Sequence, residues 1–120
     1  MPLCATLGVR GLRMDTDEVR TELDHAPGLC TSNGILHGGV IMALADSTAA
    51  ACAFANLPDG AFGTSTIEGK TNFLGAVTEG TVTAIARPLH VGGSTIVVET
   101  EVRHGDRLVA KTTQTQAVLR

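Results

Sequence analysis

The chain has 120 residues, a net charge of -3, three Phe, and neither Tyr nor Trp. That length suits a single domain over residues 1–120; the charge excludes a basic footprint for nucleic acid, and the scarcity of aromatics excludes a stacking platform for single-stranded bases. Cys4, Cys30 and Cys52 are odd in number and form no C-x-x-C pair, and the N-terminus shows no signal-peptide pattern, so the sequence predicts reduced thiols in a cytoplasmic protein.

Residues 1–7 carry no periodic signal, and no N-terminal helix is expected there. Val9, Leu12 and Met14, then Val19, Thr21 and Leu23, give a broken period-two alternation, predicting strands over about 8–14 and 17–24 that form a hairpin. Residues 25–34 contain Pro27, Gly28, Asn33 and Gly34 and read as a loop. From Gly38 to Leu57 the only charge is Asp46, in a run rich in alanine. A helix apolar on all sides is expected to be buried on all sides, and at roughly 30 Å it would run through the middle of the domain. Two starting glycines, the mid-segment Asp and the dominance of alanine over leucine argue against a membrane span.

After a turn at residues 58–61 the period becomes two. Ile67, Gly69, Thr71 and Phe73 form an apolar face against Thr66, Glu68, Lys70 and Asn72, and further strands follow at about 80–88, 94–103 and 107–119, with Gly105 and Asp106 as a tight turn. Short links make the sheet antiparallel. The layout is α+β: a curved antiparallel sheet wrapped around one long central helix.

His37, Gly38 and Gly39, followed by Leu44, Ala45 and Asp46, spell H-G-G-x-x-x-x-L-A-D. This resembles the signature of the hotdog-fold acyl-CoA thioesterases of the phenylacetate-degradation (PaaI-like) type. Residues 66–74 (TIEGKTNFL) and 89–94 (LHVGGS) resemble the strand after the helix and the glycine-containing hairpin of that family. Thr31 stands where members often carry Asn or Gln, with Asn33 two places on, and many members begin with an extra helix. The resemblance implies hydrolysis of an acyl-CoA thioester by a homodimer with shared sites, often paired into a homotetramer. Coenzyme A enters only as part of the substrate, and no further cofactor is implied.

The chemistry can also be built from the residues. A thioester needs an attacking group and a donor for the oxyanion; helix N-terminal N–H groups supply the donor, and Gly38 admits a ligand close to that backbone. Asp46 would activate water or attack directly, or else be a buried carboxylate satisfied by Ser47, Thr48 or a neighbouring strand. His37 either orients the carbonyl or fixes the turn into the helix; Thr66 matches a position where the family resembled places a Ser or Thr that helps hold the water, or else is an ordinary strand threonine. Thr31, Asn33 and Gly39 are the expected substrate contacts near the helix. The resemblance implies that the hairpin of His90, Val91, Gly92, Gly93, Ser94 and Thr95 holds the phosphates or pantetheine of coenzyme A, the other reading being a plain turn; Arg87, Arg103 and Arg107 are either phosphate partners or solvated surface charges. No paired ligand spacing points to a metal. Eight residues separate Gly38 from Asp46, about 12 Å along a helix, so one thioester carbon meets both only if the second comes from another copy. Dehydration or hydration of an acyl thioester, and acyl-CoA binding without catalysis, are the competing readings.

Overall fold

The computed structural model describes residues 1–120. In chain order it contains α1 (Pro2–Leu7), β1 (Arg10–Met14), β2 (Val19–Asp24), a 3-10 turn (Pro27–Leu29), α2 (Gly38–Ala55), β3 (Gly63–Phe73), β4 (Thr81–Val91), β5 (Thr95–His104) and β6 (Arg107–Leu119). The strands make one six-stranded antiparallel sheet in the order β1-β2-β4-β5-β6-β3, and α2 packs against it. Leu36, Ile41, Leu44 and Ala45 meet Leu23, Val82, Val102 and Val109 in one buried cluster, while Ala49, Cys52 and Ala53 meet Val19, Ala86, Ile96 and Val98 in a second. This is the hotdog arrangement. Burial pushes the Cys52 thiol up to about 11.

Four expectations need correction. Residues 2–7 do form a helix, started by Pro2 and stopped by Gly8 in the left-handed region (φ 82); six residues are too few to display a helical period. The strand ends shift too. β4 runs to Val91 and not 88, so the following turn is confined to residues 92–94. Pro88 is tolerated because β2 pairs with β4 only as far as Ala86, leaving that edge open.

Thirdly, α2 is not buried on all sides. Met42, Asp46 and Phe54 lie four or eight residues apart on one stripe and are exposed, Met42 at 46% and Phe54 at 54%. The sheet curves around only part of the helix, and a uniformly apolar helix contains nothing that says which stripe is left out.

Finally, the two faces of β3 differ from simple alternation. The pairing steps from Thr66↔Gln116 to Glu68↔Thr115, so Ile67 is an extra residue in a β-bulge. The bulge turns Thr66 to the helix side, together with Gly69 and Thr71. It leaves Ile67 itself 61% exposed.

Candidate active site

The start of α2 is fixed by backbone bonds from Leu36 N–H to the Val77 carbonyl (2.8 Å) and from His37 N–H to the Leu29 carbonyl (2.9 Å). His37 is the N-cap: its Nδ1 accepts the Gly39 N–H at 2.7 Å. With Nδ1 accepting, the neutral ring carries its proton on Nε2. A side chain on Gly39 would put its Cβ 2.9 Å from that Nδ1, so the cap itself requires glycine there. Val40 and Ile41 both donate to the His37 carbonyl, at 2.9 and 3.2 Å. Of the four N–H groups that open a helix, only that of Gly38 then has no acceptor within the chain. The space beside the Gly38 Cα is held by the Phe73 ring, whose carbons lie 3.2 Å from where a Cβ would stand.

Two turns along, Asp46 is exposed on the open stripe, not buried as the sequence suggests. Its Oδ1 accepts from Thr66 Oγ1 and from Gln114 Nε2, each at 2.9 Å. Gln116 Nε2 donates in turn to Thr66 Oγ1. Gln114 and Gln116 are each only 1% exposed, so the carboxylate is held from below by one buried amide directly and by the other through Thr66. Oδ2 has no partner in the chain, and Asp46 lines an open groove of about 380 Å³ whose walls also include Gly39, Met42, Thr71 and Thr112. Ser47 and Thr48 take no part; Thr48 bonds Thr21 and the Leu44 carbonyl instead.

Thr31 and Asn33 stand apart from the lining of this groove. They form a tight turn in which Thr31 Oγ1 accepts the Asn33 N–H at 3.3 Å and the Thr31 carbonyl accepts that of Gly34 at 3.1 Å. The residues at 90–95 form the β4–β5 turn, closed by Gly92 N–H to the Thr95 carbonyl at 2.9 Å and fastened to β6 by Val118 N–H to the Ser94 carbonyl at 2.9 Å. The His90 ring folds over Gly92, where a Cβ would come within 2.7 Å of its Nε2. Arg87 is paired with Glu18 at 2.7 Å, Arg103 with Glu101 at 2.7 Å, and Arg107 with the Ala76 carbonyl.

Gln114 and Gln116 were not legible as site residues. They lie in a run, KTTQTQ, that is polar at every position and so shows no inward face. Their burial follows from β6 sitting between β5 and β3 beneath the helix.

A family model described as the thioesterase superfamily matches residues 33–111. An esterase-named protein of Mycobacterium tuberculosis is 34% identical over 94 residues, covering 77% of this chain and 67% of that protein. Its solved structure superposes with a TM-score of 0.96 at 29% identity over 100% of this chain and 98% of that one. A conserved protein of Pseudomonas aeruginosa gives a TM-score of 0.94 at 33% identity, covering 99% and 94% of the two chains. A phenylacetic-acid-degradation-related protein of Ralstonia eutropha gives 0.89 at 25% identity, covering 98% and 89%.

Proposed function

The chain belongs to the thioesterase superfamily, and from that premise we propose that this thioester hydrolase cleaves acyl-CoA to the free acid and coenzyme A. The observation that carries the reading is a pair of unused groups: Asp46 Oδ2, on a residue that lines the groove, and the Gly38 N–H at the positive end of α2.

In this mechanism a water bound to Asp46 Oδ2 gives up its proton as it attacks the thioester carbon. The carbonyl oxygen becomes an oxyanion received by Gly38 N–H. Collapse breaks the carbon–sulfur bond, and the departing thiolate takes the proton back from Asp46. Thr66 and Gln114 fix the carboxylate through Oδ1, and Gln116 fixes Thr66. His37 caps the helix and occupies Gly39, so that Gly38 is the donor left over. Only water and the chain's own groups are needed, with coenzyme A arriving as part of the substrate.

Both groups can reach one carbonyl only across two copies, because eight helical residues set them about 12 Å apart. A two-fold pairing that brings Gly38 of one copy to Asp46 of the other passes its axis near the residue midway, Met42. The exposed stripe of Met42, Asp46 and Phe54 and the unpaired outer edge of β3 offer the surface for it. Thr31 and Asn33 then come from the copy that supplies Gly38, and two such dimers would make the tetramer. The three free thiols suit a cytoplasmic enzyme.

The test is thiol release from a panel of straight-chain, branched and aromatic acyl-CoA esters, run beside hydration of enoyl-CoA. Thiol release with at least one ester is expected; hydration without thiol release would overturn the reading. A single turnover in ¹⁸O-water, followed by mass spectrometry of the protein, tests for the nucleophile: label in the Asp46 carboxylate with an unlabelled first acid requires an acyl–Asp46 anhydride, which direct attack by water does not form.

A further inference from the structure

We propose that Gln114 is a catalytic residue whose side-chain carbonyl accepts one O–H of the hydrolytic water while Asp46 accepts the other, an inference that rests on the hydrolysis proposed above. A carboxylate oxygen only accepts hydrogen bonds, so the Gln114 amide has to turn its NH2 to Asp46, and Nε2 donates to Oδ1 at 2.9 Å. The carbonyl oxygen, Oε1, is thereby left as an acceptor. That bond to Asp46 is the only one the Gln114 side chain makes. Thr100 Oγ1 is the one fully buried side-chain polar atom that lacks a partner, so Oε1 is reached from outside although the residue is only 1% exposed.

Gln114 lines one groove only, the one that Asp46 lines. Opposite it on β3 stands Gly69. A Cβ there would meet only the Gln114 Cβ, at 3.5 Å, an ordinary contact. Packing therefore does not demand glycine, and its effect is to leave the amide uncovered.

The distances let one molecule serve both residues. Bonds of about 1.23 Å for C=O and about 1.33 Å for C–N put Oε1 about 2.2 Å from Nε2, and so no more than about 5 Å from the carboxylate oxygen that Nε2 bonds. Two hydrogen bonds through a single water oxygen span about 5.5 Å. The other polar groups of the groove are already engaged: Thr66 gives its proton to Asp46 and takes one from Gln116, and Thr71 and Thr112 bond each other at 2.8 Å. A water gripped at both hydrogens keeps its lone pairs for the thioester carbon. As the new C–O bond forms, one proton passes to Asp46 and from there to the departing thiolate. The second stays on the attacking oxygen and leaves with the acid.

The test is competition between water and methanol as attacking groups, read by mass spectrometry as the ratio of methyl ester to free acid. Methanol has one O–H and cannot satisfy both residues, so wild type should form less ester than methanol's share of the solvent would give. Gln114→Met keeps the length of the side chain but removes the acceptor; the ester-to-acid ratio should rise about tenfold, whatever the loss in kcat. Gln114→Glu retains an acceptor oxygen and should hold the ratio near that of wild type. Thr66→Val loosens the same carboxylate without touching the acceptor, so its rate should fall and its ratio stay unchanged. A wild-type ratio set by solvent composition overturns the proposal, and that measurement needs no variant to fold. An unchanged ratio in Gln114→Met would make Gln114 only a fastener of Asp46 and overturns it too, as does an equal rise in Gln114→Glu or Thr66→Val. Absence of thiol release by wild type from every acyl-CoA ester would instead defeat the hydrolysis reading and this inference with it.

Discussion

The Thr66 hydroxyl donates to Asp46 Oδ1 at 2.9 Å across the seam between β3 and α2, and it does so because the bulge at Ile67 turns Thr66 towards the helix. Asp46→Asn keeps the shape of the side chain but removes its basicity, so thiol release should fall by about 10²–10⁴ with the circular dichroism spectrum and oligomeric state unchanged. Thr66→Val removes the bond to Asp46 and leaves the buried Gln116 Nε2 without its acceptor; a drop in kcat of about tenfold with KM little altered is expected, together with a lower urea midpoint. Turnover near wild type in Asp46→Asn would exclude the assigned role.

Gly38→Pro should be the more damaging of two substitutions at the helix start. Proline deletes the free N–H at a position where it is otherwise well tolerated, and loss of one oxyanion donor costs about 10²–10³ in kcat. Gly38→Ala keeps the N–H but brings a Cβ to 3.2 Å from the Phe73 ring, which is 51% exposed and free to shift. Kinetics of the two variants decide the matter, and equal rates would place the donor elsewhere.

A chain carrying Asp46→Asn mixed with one carrying Gly38→Pro should regain activity although each parent is inactive. Half of the randomly assorted dimers are hybrids with one intact composite site, giving roughly a quarter of wild-type specific activity. If subunits exchange and no activity returns, each site is contained within a single chain.

Thr100→Val should stabilise the protein. The Thr100 hydroxyl is fully buried on β5 and has no hydrogen-bond partner, and an unsatisfied buried polar group costs about 1–3 kcal/mol. Valine retains the β-branched shape. Urea unfolding should show a higher midpoint with an unchanged slope.

Glu18 is 5% exposed and meets Arg13, Arg20 and Arg87. These hold its carboxyl below the ordinary value of 4.5, the bond from Arg20 contributing most and burial opposing it. A depressed carboxylate adds stability that is present above the unfolded value and lost as pH falls through the folded one. Glu18→Gln should therefore be less stable than wild type at pH 6, and the gap in urea midpoint should narrow as pH drops below about 4.5. A gap independent of pH would show that packing, not charge, is what Glu18 contributes.

The sequence alone determined what depends on local chemistry. Gly38 and Gly39 opening an apolar run with one charge placed α2, and period-two alternation such as Ile96, Val98, Thr100 and Val102 placed β5. Gly105, at φ 61, made the turn between β5 and β6. The H-G-G and L-A-D residues already marked Gly38 and Asp46. Only the tertiary structure decided which stripe of α2 stays open, because a helix apolar all round carries no preferred face. It alone also brought Gln114 and Gln116 beneath Asp46, from a strand whose every residue there is polar. The bulge at Ile67 was equally invisible, since β3 holds one residue more than its partner β6 across that step. Register belongs to a pair of strands, and a single strand read by itself does not contain it.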